Sequence, residues 1–396
     1  MRILHVVPSY YPAFRYGGPI HSVHNLNKEL VRQGAEVTVY TTSADGPKDL
    51  DVPLGVPIDR DGVKVYYFKP GLFRAWFYSR ALHRMLAETA KDFDLIHITS
   101  VFLFASTLGA YYARKNNKPY IVSPRGSLMI EPISRKNNLL KRLYISLVEK
   151  NNLRGATIHF TAQAEKEEYE ELRFPARNSF VVPNGIDVGK FDIQTDPNLF
   201  RRRLDISPEK KVVLFLGRIS WKKGFDTLIP AFKVVIEKNR FAVLVIAGGD
   251  DEGYKKNVQE LISKLKLDDR IIFAGELAGD MKAAAFRESN VFVLPSYSEN
   301  FGMAVIEAMC FELPVIIAEG VGISGDIARA KAGIVIKKDE NELANAILDI
   351  LLNEAKARDV GKSGRKFVQG EFAIEHVARK MLTAYNGIIK GFMRDE

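Results

Sequence analysis

One cysteine, seven histidines and no long apolar run set the first limits on this 396-residue chain. With Cys310 alone there is no internal disulfide, and its place on an apolar helical stretch makes it a core residue. Stability has to come from burial, and 46% hydrophobic residues over this length suffice for two or three domains with real cores. No run of ~18 uninterrupted apolar residues occurs, so no membrane-spanning helix is expected. Met1-Arg2-Ile3 leads straight into an apolar strand without a signal-peptide pattern, and the expectation is a cytoplasmic protein. The histidines show no metal grouping beyond His21 and His24, one helical turn apart, which read as surface. A GxGxxG fingerprint is missing, as is a DxD pair placed after a strand to hold a divalent ion. Asp250-Asp251 follows Gly248-Gly249 and reads as a loop near phosphates or a solvated turn.

Acidic residues are scarce in one half. Residues 1–187 carry 25 Lys/Arg against 18 Asp/Glu, and the remainder 32 against 30. Between Arg114 and Arg154 ten basic residues face only Glu131 and Glu149. A basic first half suits nucleic acid, an anionic membrane or a pyrophosphate-bearing substrate. Nothing resembles a nucleic-acid-binding module, so no nucleic-acid partner is expected. No acidic residue lies between Gly62 and Ala87, and the stretch 71–86 mixes Phe73, Trp76, Phe77 and Leu82 with Arg74, Arg80 and Arg84. It reads either as a basic amphipathic segment at a membrane surface or over a lipid-linked acceptor, or as a helix packing its aromatics on a sheet.

What is present is alternation of strand and helix, twice. Strands are expected at 2–7, 36–42, 63–68, 94–98, 120–123, 156–161 and 180–182, forming one parallel sheet, with Gly17-Gly18 in the loop before a helix from about residue 20 to 33. The paired glycines let backbone approach a phosphate, or simply relieve a positive φ. Residues 182–187, VPNGID, read as a domain junction, and 192–210 as a surface connection. A second series of strands follows at 212–216, 242–247, 271–274, 291–294, 315–318 and 333–336, alternating with helices. Two Rossmann-like halves result, 1–187 and 188–373, with a terminal helix at 374–392.

The most informative stretch is 291–318, a strand, a polar turn and a helix expected over 301–311. Its N–H groups at Asn300, Phe301, Gly302 and Met303 suit an anion. Glu299 and Glu307 bracket that mouth. At ~1.5 Å rise per residue their backbones are roughly 10–12 Å apart, wide for the ~5.5 Å carboxyl pair of a retaining glycosidase, so they read as two separate acceptors for one elongated ligand. Arg218 and Lys223 in GRISWKKGFDTLI follow the first strand of the second half. Loops after parallel strands sit at the carboxyl edge, so both motifs point into one crevice, where an Arg fork and a Lys point charge fit phosphate oxygens.

SENFGMAVIE resembles the E-x7-E motif of retaining GT-B glycosyltransferases, above all glycosyltransferase family four, and GR and KG match the same family. The resemblance implies an α/β GT-B fold, two doubly wound domains facing across a cleft with the C-terminal helix crossing back. It places Glu299 on the donor sugar's hydroxyls, Asn300, Phe301 and Gly302 on sugar and phosphate, Glu307 on the ribose, and Arg218 and Lys223 on the diphosphate. Gly17 and Gly18 would face diphosphate and acceptor. In SPRGSLMIEP this chain has Arg125 where many members carry a catalytically implicated histidine. Arg cannot serve as a base near neutral pH, so Arg125 either places charge near the phosphate or acceptor or partners a buried carboxylate. With Arg, Lys and a helix N-terminus in place, neither metal nor cofactor is expected. The implied partners are a nucleotide-sugar donor and a saccharide or lipid-linked acceptor, with peripheral contact to an anionic membrane. The rival readings are a sugar-nucleotide-binding scaffold without turnover and a nucleotide-sugar epimerase of the same fold.

Overall fold

In the computed structural model the chain divides into two compact units, Met1–Ile186 with Ile374–Glu396, and Asp187–Ala373. The structure describes residues 1–135, 139–192, 196–251 and 253–394, so part of the surface connection read at 192–210 lies outside it.

The first unit holds strands β1 (Arg2–Ser9), β2 (Glu36–Thr42), β3 (Pro57–Arg60), β4 (Val63–Phe68), β5 (Leu95–Thr99), β6 (Tyr120–Ser123), β7 (Thr157–Phe160) and β8 (Asn178–Val181), in the order β8-β7-β6-β5-β1-β2-β4-β3. The inner strands β5, β6 and β7 are buried on both faces, as parallel strands under two helical layers must be, while the edge strands β3 and β8 are half-exposed. The sheet is not wholly parallel, however: β3 runs antiparallel to β4. Asp61 and Gly62, at φ 56 and 83, form the two-residue turn that reverses the chain there. The final helix, Ile374–Arg394, lays Val377, Ala378, Met381 and Tyr385 into the same core as Val23, Leu26 and Leu30, and so belongs to this unit as expected.

Residues 71–86 do not form one helix, and only Leu82 and Leu86, in the part from Arg80 onward, pack into the core. Arg74–Trp76 is a single 3-10 turn, and the helix begins only at Arg80, capped by the Ser79 hydroxyl on the Leu82 N–H at 3.4 Å.

The second unit has β9 (Lys211–Leu216), β10 (Ala242–Ala247), β11 (Ile271–Gly275), β12 (Val291–Leu294), β13 (Val315–Ala318) and β14 (Ile334–Ile336), ordered β11-β10-β9-β12-β13-β14 and parallel throughout. This is the doubly wound 3-2-1-4-5-6 order, and its direction reverses between β9 and β12. A helix absent from the sequence reading, Glu354–Glu371, packs on Met303–Cys310. A Cβ on its Gly361 would overlap the Glu312 carbonyl oxygen, so close approach, not flexibility, requires glycine there.

Candidate active site

The reversal between β9 and β12 opens a crevice at the carboxyl ends of these strands, and three loops build its floor. The Tyr297 N–H donates to the Lys222 carbonyl at 2.8 Å, tying the loop after β12 to the loop after β9. The Glu299 N–H donates to Gly320 O at 2.9 Å and the Gly322 N–H returns to Glu299 O at 2.8 Å, adding the loop after β13. Gly224 sits at φ 72 against the Pro295 carbonyl, where a side chain would overlap that oxygen. The loops are therefore held backbone to backbone, and their side chains are placed by the strand ends rather than by loop mobility.

Onto this floor the sequence projects its charges. Lys223 is buried and its ammonium donates to the Glu299 carboxylate. Arg218 is 66% exposed, with Nη1 3.4 Å from Asp251 Oδ2. Asp250 Oδ1 accepts from the Lys255 N–H at 2.9 Å, so the two aspartates do different work, one capping a helix and one pairing with Arg218. Glu307 lies in the second turn of Met303–Cys310, which starts two residues later than the sequence reading placed it, after Gly302 as N-cap at φ 97. Asn300, Phe301 and Gly302 form the approach to that helix. Phe301 turns its ring into the core, edge-on to Phe372 at 5.5 Å. The first N–H groups of the helix have no intrahelical acceptor and favour negative charge.

Glu307 is held by a residue that sequence reasoning missed. Lys282, on the helix Gly279–Glu288, places Nζ 2.9 Å from Oε1 and 2.8 Å from Oε2. Nothing in the linear spacing links 282 to 307; only the 3-2-1-4 strand order brings those helices together. A second missed feature is the rim pair Trp221 and Tyr297, rings 6.2 Å apart and 21° from parallel, with Lys338 Nζ 4.5 Å from the Tyr297 centroid.

Gly17, Gly18 and Arg125 belong to the first unit. Gly17, at φ 77, is the N-cap of Gly18–Arg32, with Gly18 its first residue. Arg125, itself at φ 55 after β6, donates Nη1 to Asn184 Oδ1, and its buried Nε has no hydrogen-bond partner. The buried Glu165 carboxylate beside it accepts from the N–H groups of Gly126 at 2.6 Å and Thr161 at 2.9 Å. Burial lowers the pKa of Arg125 and raises that of Glu165, while their mutual attraction acts against both shifts.

Near Arg125 the sheet interior carries a buried polar network that the sequence did not reveal. His5 and His97 stack at 4.4 Å from paired positions on β1 and β5, and His97 and His159 both meet the Ser123 hydroxyl, at 2.6 and 2.7 Å. Tyr385 of the final helix closes it, 2.6 Å from His97 Nδ1. Burial pushes His5 down to about 4, His159 to about 3 and His97 well below its usual value, so all three stand neutral at pH 7. His24 is likewise buried, between the Tyr10 hydroxyl and Asp61, which corrects the surface reading for His24, while His21 is exposed as expected. Among the described residues no group of three or more His, Cys, Asp or Glu could hold a metal ion.

Known proteins share this architecture. Residues 16–190 match the family model Glycosyltransferase Family 4, and residues 197–367 match Glycosyl transferases group 1. An uncharacterized glycosyltransferase of Methanocaldococcus jannaschii is 25% identical, covering 97% of this chain and 98% of that protein. The alpha-monoglucosyldiacylglycerol synthase of Streptococcus pneumoniae is 27% identical over 89% of this chain and 78% of its own. Among solved structures, sucrose-phosphate synthase from Thermosynechococcus elongatus superposes with a TM-score of 0.77 at 23% identity, covering 99% of this chain and 100% of that one. Anabaena HepE in complex with UDP-glucose gives 0.75 at 20% identity, covering 98% and 100%. The chain thus belongs to the group 1 glycosyltransferases of family 4 and has their GT-B fold.

Proposed function

We propose that this glycosyltransferase moves a sugar, with retention of anomeric configuration and without a metal ion, from a nucleotide-sugar to an acceptor hydroxyl in the assembly of a bacterial surface polysaccharide or lipopolysaccharide. The observation that carries the reading is the crevice at the β9/β12 reversal, where Lys223, Glu299, Arg218 and Glu307 converge on one helix N-terminus. Lys223 has three N–H donors. One holds the Glu299 carboxylate in position for the sugar hydroxyls, and the others serve the diphosphate with Arg218. Glu307 takes the ribose hydroxyls. As the bond to the diphosphate breaks, the two cations and the helix N-terminus offset the developing charge, the role a divalent ion plays elsewhere. The departing phosphate oxygen accepts the acceptor's proton, so no enzyme nucleophile is needed, and Arg125 only places charge.

Similar proteins support the donor and leave the acceptor wide: HepE was solved with UDP and with UDP-glucose, and relatives include D-inositol 3-phosphate glycosyltransferases. The basic first unit brings the enzyme to an anionic membrane surface. Incubation with a panel of nucleotide-sugars and NMR of the products tests the whole reading. It expects transfer or slow donor hydrolysis, with retained configuration and full rate in EDTA; isomerised sugar or binding alone would overturn it. Across pH 5.5–8 the rate should show no histidine-like titration assignable to position 125. Arg125→Lys should keep part of the activity and Arg125→Ala less, since charge without the fork survives only in the first.

A further inference from the structure

The turn at residues 71–78 is built inside out. Leu72 is 98% exposed, Phe73 66% and Trp76 61%, while the arginine between them is turned inward. Arg74 Nε donates to Gly46 O at 2.9 Å, Nη1 to Asp49 Oδ1 at 2.7 Å, and Nη2 to Lys48 O. The turn's base is closed by the Gly71 N–H on Tyr78 O at 2.7 Å, and its inner aromatics are fixed: Phe77 against Tyr16 at 5.6 Å, Tyr78 edge-on to Phe104 at 4.6 Å. A soluble loop would bury its large apolar side chains and leave the guanidinium in water. Here four anchors hold a rigid knob with three apolar side chains outward.

The surroundings identify what this knob meets. Lys69, Arg80 and Arg84 are exposed beside it, and no acidic residue lies between Gly62 and Ala87. The segment joined to the helix Phe104–Lys115 by the Tyr144 hydroxyl on Thr107 at 2.8 Å also exposes Leu143 and Leu147, with Arg142 beside them in sequence. Apolar tips ringed by basic side chains match a bilayer with anionic headgroups, the tips entering the acyl boundary and the cations staying among phosphates. We propose that the 71–78 knob is a membrane anchor, inserting Leu72, Phe73 and Trp76 into an anionic leaflet. Through Tyr16, whose hydroxyl accepts from the Gly46 N–H at 2.9 Å, the anchor is bound to the loop that carries Gly17. It rests on the proposed transfer reaction for one point alone: the acceptor is a saccharide hydroxyl on a lipid, delivered from the surface the knob enters.

The test uses the full chain with sucrose-loaded vesicles of phosphatidylcholine alone or with phosphatidylglycerol, at low and high salt. Wild type should sediment with the anionic vesicles, less at high salt. The variant Leu72→Ser/Phe73→Ser/Trp76→Ser removes only exposed side chains, so its melting curve should match wild type while its vesicle partition drops at least roughly tenfold. Acyl-chain-brominated lipid should quench the fluorescence of wild type and not of Trp76→Phe, the chain having two tryptophans, Trp76 and Trp221. Undiminished vesicle binding by the folded triple variant overturns the anchor. So does a wild type that ignores vesicles and self-associates through these residues in sedimentation. Binding of a panel of nucleoside diphosphates, UDP among them, by the same samples without vesicles tests the transferase reading separately. Nucleotide binding without vesicle binding defeats the anchor alone, and vesicle binding without binding of any nucleotide in the panel defeats the transfer reading alone.

Discussion

In the second unit the polar side chains stand at the carboxyl ends of the strands as ion pairs, Lys223 with Glu299 and Lys282 with Glu307. In the first unit they lie within the sheet as neutral hydrogen-bonding groups, His5, His97, Ser123 and His159 under Tyr385. Both sheets are doubly wound, so backbone does not explain the contrast. A charge is tolerated where the crevice supplies a partner and water; inside a sheet the same atoms persist only uncharged and paired. On the proposed reading the difference separates groups that act on ligands from groups that hold a core together.

The largest expected effect breaks the comparison with acid. Unfolded histidines take up protons below 6.5, but His5 resists until about 4 and His159 until about 3, so the unfolded state binds more protons and stability falls as pH drops through that window. Glu149, raised by burial to about 7, and Glu165, raised likewise, act in the opposite direction until the unfolded carboxylate range near 4.5 is passed. The first unit should therefore weaken slowly from pH 6.5 to 4.5 and steeply below, each histidine contributing ~1.4 kcal/mol per pH unit. Hydrogen exchange of β1, β5 and β7 amides measures this. The slope should flatten by one proton in His159→Gln; an unchanged slope would take His159 out of the network.

In the second unit the corresponding break is at the crevice floor. Gly224→Ala places a methyl on the Pro295 carbonyl at a φ that alanine rarely adopts. We expect a loss of UDP affinity of about 3 kcal/mol by calorimetry, the scale of strain at such a position, with first-unit exchange rates unchanged. Next comes Lys223→Met, which should weaken UDP binding by about 2 kcal/mol, the worth of a charge-assisted contact. Its fold should survive, because Glu299 is left partly exposed to water rather than sealed in. Equal affinity for UDP in wild type and a folded Lys223→Met would remove the lysine from the site. Smallest is Glu307→Gln, about 1 kcal/mol on UDP, since a neutral acceptor still takes one ribose hydroxyl. A larger loss for Glu299→Gln than for Glu307→Gln on free UDP would reverse the two assignments.

Legibility followed the same division. Residues that declare themselves by local order were read directly: the apolar runs of β9, β12 and β13, the turn glycines, and Glu299 and Glu307 eight residues apart on one loop-helix unit. What depends on distant chain segments was not. Lys282 joins Glu307 across 25 residues, and His97 joins Tyr385 across 288, and neither pairing leaves a periodic trace. His5, His97 and His159 are invisible because they are ordinary inward positions on strands whose partners, Asn27 and Tyr385 on helices and Ser123 on β6, lie far away in the chain. The helix Glu354–Glu371 was missed because its buried face is built on Gly361, Gly364 and Val368, the reverse of the apolar stripe that periodicity detects. The inverted burial of the 71–78 knob leaves no local trace, because the Arg74 contacts come from Gly46, Lys48 and Asp49, in the short antiparallel hairpin of Ala44–Asp45 and Lys48–Asp49.

Because Tyr385 seals the histidine network of the first unit, the order of folding during synthesis is written into the chain's path. The second unit is one continuous stretch, 187–373, and every strand of it has been made before the final helix emerges. The first unit is two pieces, joined where the Ile374 N–H meets Ile186 O at 2.9 Å. On the ribosome the unit that begins first is the one completed last: the Tyr385 hydroxyl that covers His97 is made only after the whole of the second unit, which is then free to fold ahead of it.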